Sequence, residues 1–142
     1  MNFLVDTNVL SEATKPKPDP AVHAWLMEHE TDVYISALTI SELKHGIERL
    51  PRGQRKDQLQ SWLARTCEMM DGRILSVNTS VASLWGEMCA KWAASGITMP
   101  TIDGLIAATA KRRGFTIVTR NDKDFARAGV RTLNPFSPRR RR

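Results

Sequence analysis

The sequence predicts an α/β domain with a central, mainly parallel sheet and helices on both of its faces. Three observations lead there. Short apolar runs rich in β-branched residues alternate with longer stretches of helical periodicity along the chain. The helical stretches have lengths suited to crossover connections, the pattern of parallel strands covered by helices. The 142 residues contain no internal repeat and suit one domain able to bury its own core.

The first apolar run, Phe3-Leu4-Val5, lies too near the start for a helix, so residues 2–5 read as a strand. Lys15-Pro16-Lys17-Pro18-Asp19-Pro20 has prolines at alternate positions, which forbids regular pairing and marks a loop. Asp19-Pro20 then opens a helix with Pro at its first position and Val22, Trp25, Leu26 and His29 at helical spacing. Residues 33–36 form the second strand. Thr39-Ile40-Ser41-Glu42 has the form of a capping box, followed by an apolar stripe of Ile40, Leu43, Ile47 and Leu50 that ends at Pro51-Arg52-Gly53. Leu59, Trp62, Leu63, Cys67 and Met70 mark a helix over residues 55–70, and Asp71-Gly72 turns the chain into a third strand, 74–77. A helix over 79–94 carries Val81, Leu84, Trp85, Met88, Cys89 and Trp92, and Ser95-Gly96 closes it. Pro100-Thr101 opens the next helix, which stops at Gly114. Residues 115–119, β-branched and aromatic, are the clearest strand. A helix over 124–128 and a strand over 130–133 complete the chain.

Composition narrows the class. The chain is 42% hydrophobic and 25% charged, ordinary for a globular protein. No apolar run approaches the roughly 18 residues of a membrane span, and no signal peptide is evident, so a cytoplasmic protein is expected. Cys67 and Cys89 have no Cys or His neighbours at zinc-site spacing and read as buried thiols. The net charge of +6 is concentrated in Arg139 to Arg142; without them 17 basic residues face 15 acidic ones. The body is thus nearly neutral. Residues 1–136 are expected to form the domain and 137–142 a basic, disordered tail.

The chemistry is carried by acids. Asp6 directly follows the first strand, Glu42 begins the helix after the second, and Asn121, Asp122 and Asp124 follow the strongest strand. Asp103 sits in the first turn of the helix that leads into that strand. In parallel sheets ligands gather outside the carboxyl ends of the strands, so these residues meet at one edge if that helix starts over it, as right-handed crossovers require. Each has a structural explanation too: an Asx turn at Asp6, a capping box at Glu42, a helix dipole at Asp103, a solvated turn at Asp122. Together, clustered carboxylates repel and call for a cation, and hard oxygen ligands suit Mg²⁺ or Mn²⁺. Without a Walker-type loop such a site suits hydrolysis of a phosphodiester. Asn8 and Thr119 are placed to orient ligands or water. No Ser or Cys nucleophile pairs with a His; His23, His29 and His45 fall on helix surfaces away from the edge. On this reading Asp6→Asn is expected to spare the fold, or even to raise the metal-free melting temperature.

Four ordered stretches, FLVDTNVLSE, ISALTISELKHGI, MPTIDGLIAATA and FTIVTRNDKDF, resemble the PIN-domain ribonucleases, and among them the VapC/FitB-like toxins of type II toxin–antitoxin pairs. The resemblance spans residues 2–136. It implies a three-layer α/β/α fold and a Mg²⁺- or Mn²⁺-dependent endoribonuclease. It further implies a homodimer and a small DNA-binding VapB/FitA-like antitoxin, which assembles with the toxin into a higher heteromer. Carried over by motif, Asp6, Glu42 and Asp103 match the core acids, with Asp6 and Asp103 the usual metal ligands. Many relatives carry a fourth acid where this chain has Asn121; Asp122 is the replacement favoured here over Asp124. Two other readings stay open. One is a catalytically silent scaffold that only holds nucleic acid. The other is a Mg²⁺-dependent phosphatase or receiver-like domain, although the second Asp that a haloacid-type phosphatase needs is Asn8 here.

Overall fold

The structure, a computed structural model, describes residues 1–138. Five strands form one sheet: β1 (Phe3–Val5), β2 (Val33–Ser36), β3 (Ile74–Leu75), β4 (Thr116–Val118) and β5 (Thr132–Leu133), in the order β3-β2-β1-β4-β5. Every pairing is parallel, so the sheet is wholly and not just mainly so. β1 lies at the centre, with Leu4 opposite Tyr34 on one side and Ile117 on the other.

Seven α-helices connect or follow the strands: α1 (Thr7–Leu10), α2 (Pro20–Glu28), α3 (Ala37–Glu48), α4 (Gln54–Met69), α5 (Thr79–Ala94), α6 (Thr101–Arg113) and α7 (Asp122–Arg127). A 3₁₀ turn, Ser11–Thr14, follows α1. The side chains of β1 alternate between two cores. Leu4 and Ile117 pack with Met88, Trp92, Ile106 and Phe125 of α5, α6 and α7. Phe3, Val5 and Val118 pack with Val9 and Val22 of α1 and α2. Leu43, Ile47 and Leu63 make a smaller core between α3 and α4. These layers are the α/β/α arrangement expected.

Several boundaries follow the sequence closely. Asp19 caps α2 by accepting from Ala21 N–H at 2.9 Å, with Pro20 at the first position. Asn78 caps α5, and Gly114, at φ 69°, ends α6 in the left-handed region that favours glycine. Others differ. The expected capping box at Thr39–Glu42 is absent, because α3 starts earlier. Ser36, the last residue of β2, has an extended backbone and accepts from Leu38 N–H at 3.0 Å, so the helix begins where the strand stops. Thr39 is then fully buried with its hydroxyl bonded to no group among the described residues, and Glu42 moves into the body of the helix. α1 and the 3₁₀ turn were not foreseen, since four-residue helices leave little periodicity to read. α7 begins at Asp122 rather than 124.

Ser137, assigned to the tail, is tied back: its N–H and hydroxyl reach Asp19 at 2.9 and 2.7 Å. Arg139 to Arg142 lie outside the described residues. Cys67 and Cys89 are free and half-buried. His23 and His45 are exposed on their helices, whereas His29 is half-buried and stacks on Trp25 at 4.4 Å.

Gly104 is where α5 and α6 meet. A methyl group there would stand 3.0 Å from Trp85 Nε1 and 3.2 Å from Trp92 Cζ3. Gly104→Ala is therefore expected to cost about 1–3 kcal/mol by overpacking. Chemical denaturation measures it, and a change below about 0.5 kcal/mol would show that the indoles yield freely.

Candidate active site

The strand order places a topological switch between β1 and β4. From β1 the chain steps outward to β2 and β3, then returns to the other side of β1 for β4 and β5. The crevice of such a sheet opens at the carboxyl ends of the two strands that flank the switch. Asp6 leaves β1 at that point and donates its backbone N–H to Val118 O at 2.9 Å.

Asp6 is buried, and its carboxylate is held on both oxygens. Oδ1 accepts from Thr7 N–H at 2.8 Å, so Asp6 also caps α1. Oδ2 accepts from the Thr119 hydroxyl at 2.9 Å and from Asn8 Nδ2 at 3.3 Å. Burial pushes this carboxyl above its ordinary value, against the pull of the Thr119 and Thr7 hydrogen bonds. Thr119 is the hub: fully buried, it also accepts from Asn121 N–H at 3.0 Å and from Asn8 Nδ2 at 3.3 Å. Asn8 completes the bracket by accepting from Arg120 N–H at 3.1 Å. The exits of β1 and β4 are thereby stitched into one rigid edge.

Glu42 arrives from α3. Thr7 Oγ1 donates to Glu42 Oε1 at 2.6 Å, which orients the carboxylate toward the β1 exit. Asp103, in the first turn of α6, is half-buried and accepts no hydrogen bond among the described residues. Its carboxyl is pushed up to about 6, first by burial and then by the charges of Asp6, Glu42 and Asp124. The fourth acid felt at Asp103 is thus Asp124. Asp122, the residue expected there, lies in the same first turn of α7, and it is the Asp124 charge that helps raise Asp103. Two positions further along the helix, Asp124 is on a different face from Asp122. Asp124 is exposed, with Arg127 at 4.0 Å. Asn121 stands before α7 without a side-chain cap. Thr7 is the residue that sequence reasoning missed; its place beside the site became visible only through its bond to Glu42.

Among the described residues no Lys or Arg forms an ion pair with Asp6, Glu42 or Asp103. The donors are all hard oxygens, the set that Mg²⁺ and Mn²⁺ prefer. As the side chains stand, no three acidic, Cys or His groups among the described residues converge on one point.

The family profile described as PIN domain matches residues 3–130. The chain belongs to the PIN-domain family. Similar proteins cover this PIN domain almost end to end. The VapC ribonuclease Y4jK of Sinorhizobium fredii is 35% identical over 138 residues, 96% of this chain and 99% of that protein. Toxin FitB of Neisseria gonorrhoeae is 37% identical over 139 residues, covering 94% and 98%. In the solved structure of FitAB bound to an IR36 DNA fragment, the matching chain has a TM-score of 0.90 at 34% identity, with 99% of each chain covered. These likenesses place the PIN domain among the VapC and FitB toxin ribonucleases. No helix among the described residues is long and apolar enough to cross a membrane.

The raised Asp103 carboxyl gives a pH signature. Its folded value, about 6, lies above the ordinary 3.8, so between those values the folded state binds more protons than the unfolded state. Stability from this group therefore falls as pH rises through the window, and the penalty is complete above about 6. In EDTA, the melting temperature of the parent is expected to fall relative to Asp103→Asn from pH about 4 to about 6. Adding Mg²⁺ near neutral pH should narrow the difference. Parallel pH curves would mean that no repulsion is stored there.

Proposed function

We propose that this chain is a Mg²⁺- or Mn²⁺-dependent endoribonuclease that acts as the toxin of a toxin–antitoxin pair. The observation that carries the reading is the acidic cluster at the β1/β4 switch: Asp103 is raised to about 6 first by burial and then by the charges around it, and Asp6, Glu42 and Asp103 form no ion pair with a basic side chain among the described residues. Asp6, Asp103 and Glu42 would hold the cation, with Asp124 rather than Asp122 as the fourth acid. When bound, the ion lowers the pKa of a water and neutralises charge on the phosphodiester. The chain's own residues do the positioning. Thr119 and Asn8 keep Asp6 oriented through Oδ2, and Thr7 aims Glu42 through Oε1. Fixing these carboxylates before substrate arrives lowers the cost of reaching the reactive geometry.

The partner is proposed to be a VapB/FitA-like antitoxin, a reading supported by the likeness to Toxin FitB and to a chain of the solved FitAB structure. An apolar cavity of about 280 Å³ between α3 and α4, lined by Leu43, Ile47, Leu50, Leu59 and Trp62, opens beside Glu42 and supports a peptide partner there. An antitoxin Arg reaching the acids would supply the missing positive charge and block the site. In the purified pair, no Arg within salt-bridge distance of Asp6, Glu42 or Asp103 would refute this inhibition. A homodimer of the toxin is proposed too, and light scattering of the purified chain reads it directly.

The test of activity is incubation of total cellular RNA with the purified chain in Mg²⁺, Mn²⁺ or EDTA. Discrete fragments that need a divalent ion are expected. RNA bound but uncut under every condition would favour a silent scaffold.

A further inference from the structure

Several arginines spend their guanidinium on the fold. Arg73 donates to the carbonyls of Glu30 and Val33, Arg55 to Thr14, and Arg131 to Gly114. Arg120 is different. It follows Thr119 directly, and its backbone is pinned on both sides, N–H to Asn8 Oδ1 at 3.1 Å and C=O from Asn134 Nδ2 at 3.4 Å. Its guanidinium lies over the Phe136 ring, with Cζ 3.9 Å from the centroid. Nη2 is 3.9 Å from Glu12 Oε2, near enough for attraction and too far for a hydrogen bond. Glu12 is buried and already engaged: Lys15 Nζ sits 2.9 Å from Oε2, and Asp19 N–H donates to Oε1 at 3.0 Å. Glu12 therefore steers Arg120 without cancelling its charge. Among the described residues no guanidinium N–H of Arg120 is used in a hydrogen bond, and the side chain stays 43% exposed.

We propose that Arg120 is a phosphate-anchoring residue of the RNA site, held in place by Phe136 and Glu12 as positioning residues. The inference rests on the nuclease reading and names a substrate contact within it. Phe136 packs in the core on the α1 and α2 face, whereas α6 and α7, which carry Asp103 and Asp124, pack on the opposite face. Asp6 lies between the flanks. An RNA strand crossing this edge meets the acids on one side and a fixed guanidinium on the other. A planar donor fork with open N–H groups matches a phosphate bidentately, and a ring beneath it removes the freedom it would otherwise lose on binding.

The test uses Asp103→Asn, expected to bind RNA without cutting, and measures affinity for a short random-sequence RNA in Mg²⁺ across KCl concentrations. Adding Arg120→Gln is expected to weaken binding about tenfold and to reduce the salt slope by about one phosphate contact. Arg120→Lys should keep the slope but recover only part of the affinity, because it keeps the charge and loses the fork. Phe136→Leu should weaken binding with the slope unchanged. Thermal melting of each variant separates a folding defect from a lost contact. If Arg120→Gln is poorly folded, the Arg120→Lys comparison decides. Equal affinity and slope in folded Arg120 variants would overturn the proposal. A parent chain that neither binds nor cuts RNA would overturn the nuclease reading itself.

Discussion

On the proposed function, Asp6→Asn and Asp103→Asn are each expected to abolish RNA cleavage, with rates at least about 10³-fold below the parent, because each would remove a charged cation ligand worth several kcal/mol of transition-state stabilisation. Gel analysis of total RNA with Mg²⁺ reads the loss. Residual cleavage equal in parent and variants would point to a contaminating nuclease. The two variants part company in stability. Asp103 accepts no hydrogen bond among the described residues and is opposed by three other acids, so Asp103→Asn is expected to stabilise the metal-free protein. The gain should be about 1 kcal/mol once solvent screening at this half-exposed site is allowed for. Asp6→Asn runs the other way. Its new amide would face Asn8 Nδ2 and a Thr119 hydroxyl that already accepts from Asn121, so about 1–2 kcal/mol of stability is lost. The gain expected at Asp6 from sequence alone is thereby reversed. Repulsion is relieved, but a buried acceptor is exchanged for a donor.

Thr119→Val is expected to cost about 2–3 kcal/mol of stability, since it strips Asp6 Oδ2 of its shortest donor inside a buried site and leaves Asn121 N–H without an acceptor. Cleavage should fall about 10- to 100-fold, the usual penalty for losing a group that orients a metal ligand. Thr119→Ser keeps the hydroxyl and should restore most of both. Urea denaturation and Mg²⁺-dependent cleavage of the three proteins check this. A Val variant as active and as stable as the parent would mean that Asn8 alone holds the carboxylate.

Much of this fold is legible in the chain. β2 and α5 coincide with their expected limits because strong apolar periodicity is bounded there by unambiguous breaks, such as the Asn78 cap and the Ser95-Gly96 stop. The misreadings share a cause. Ser36 and Thr39 are equally good caps by composition, and the choice fell on Ser36 because the chain turns into α3 with no residue between that helix and β2. Asp122 and Asp124 are equally acidic in sequence, and only the packing of α7 beside α6 brought the Asp124 charge to bear on Asp103. α1 was hidden because a four-residue helix owes its existence to the Asp6 cap and to the burial of Val9 rather than to its own pattern.

By itself, the sequence determined that strands and helices alternate, that the sheet is parallel, and that Asp6, Glu42 and Asp103 belong to one edge. Each of these follows from local periodicity and from a rule of connection that depends on chain order alone. Tertiary structure decided the rest: the central place of β1, the hub formed by Thr119, the hold of Thr7 on Glu42, and the sandwich of Arg120 between Phe136 and Glu12. Those contacts join residues from 16 to 113 positions apart. Their partners are chosen by how the layers pack, and nothing in the local pattern of either residue specifies the other.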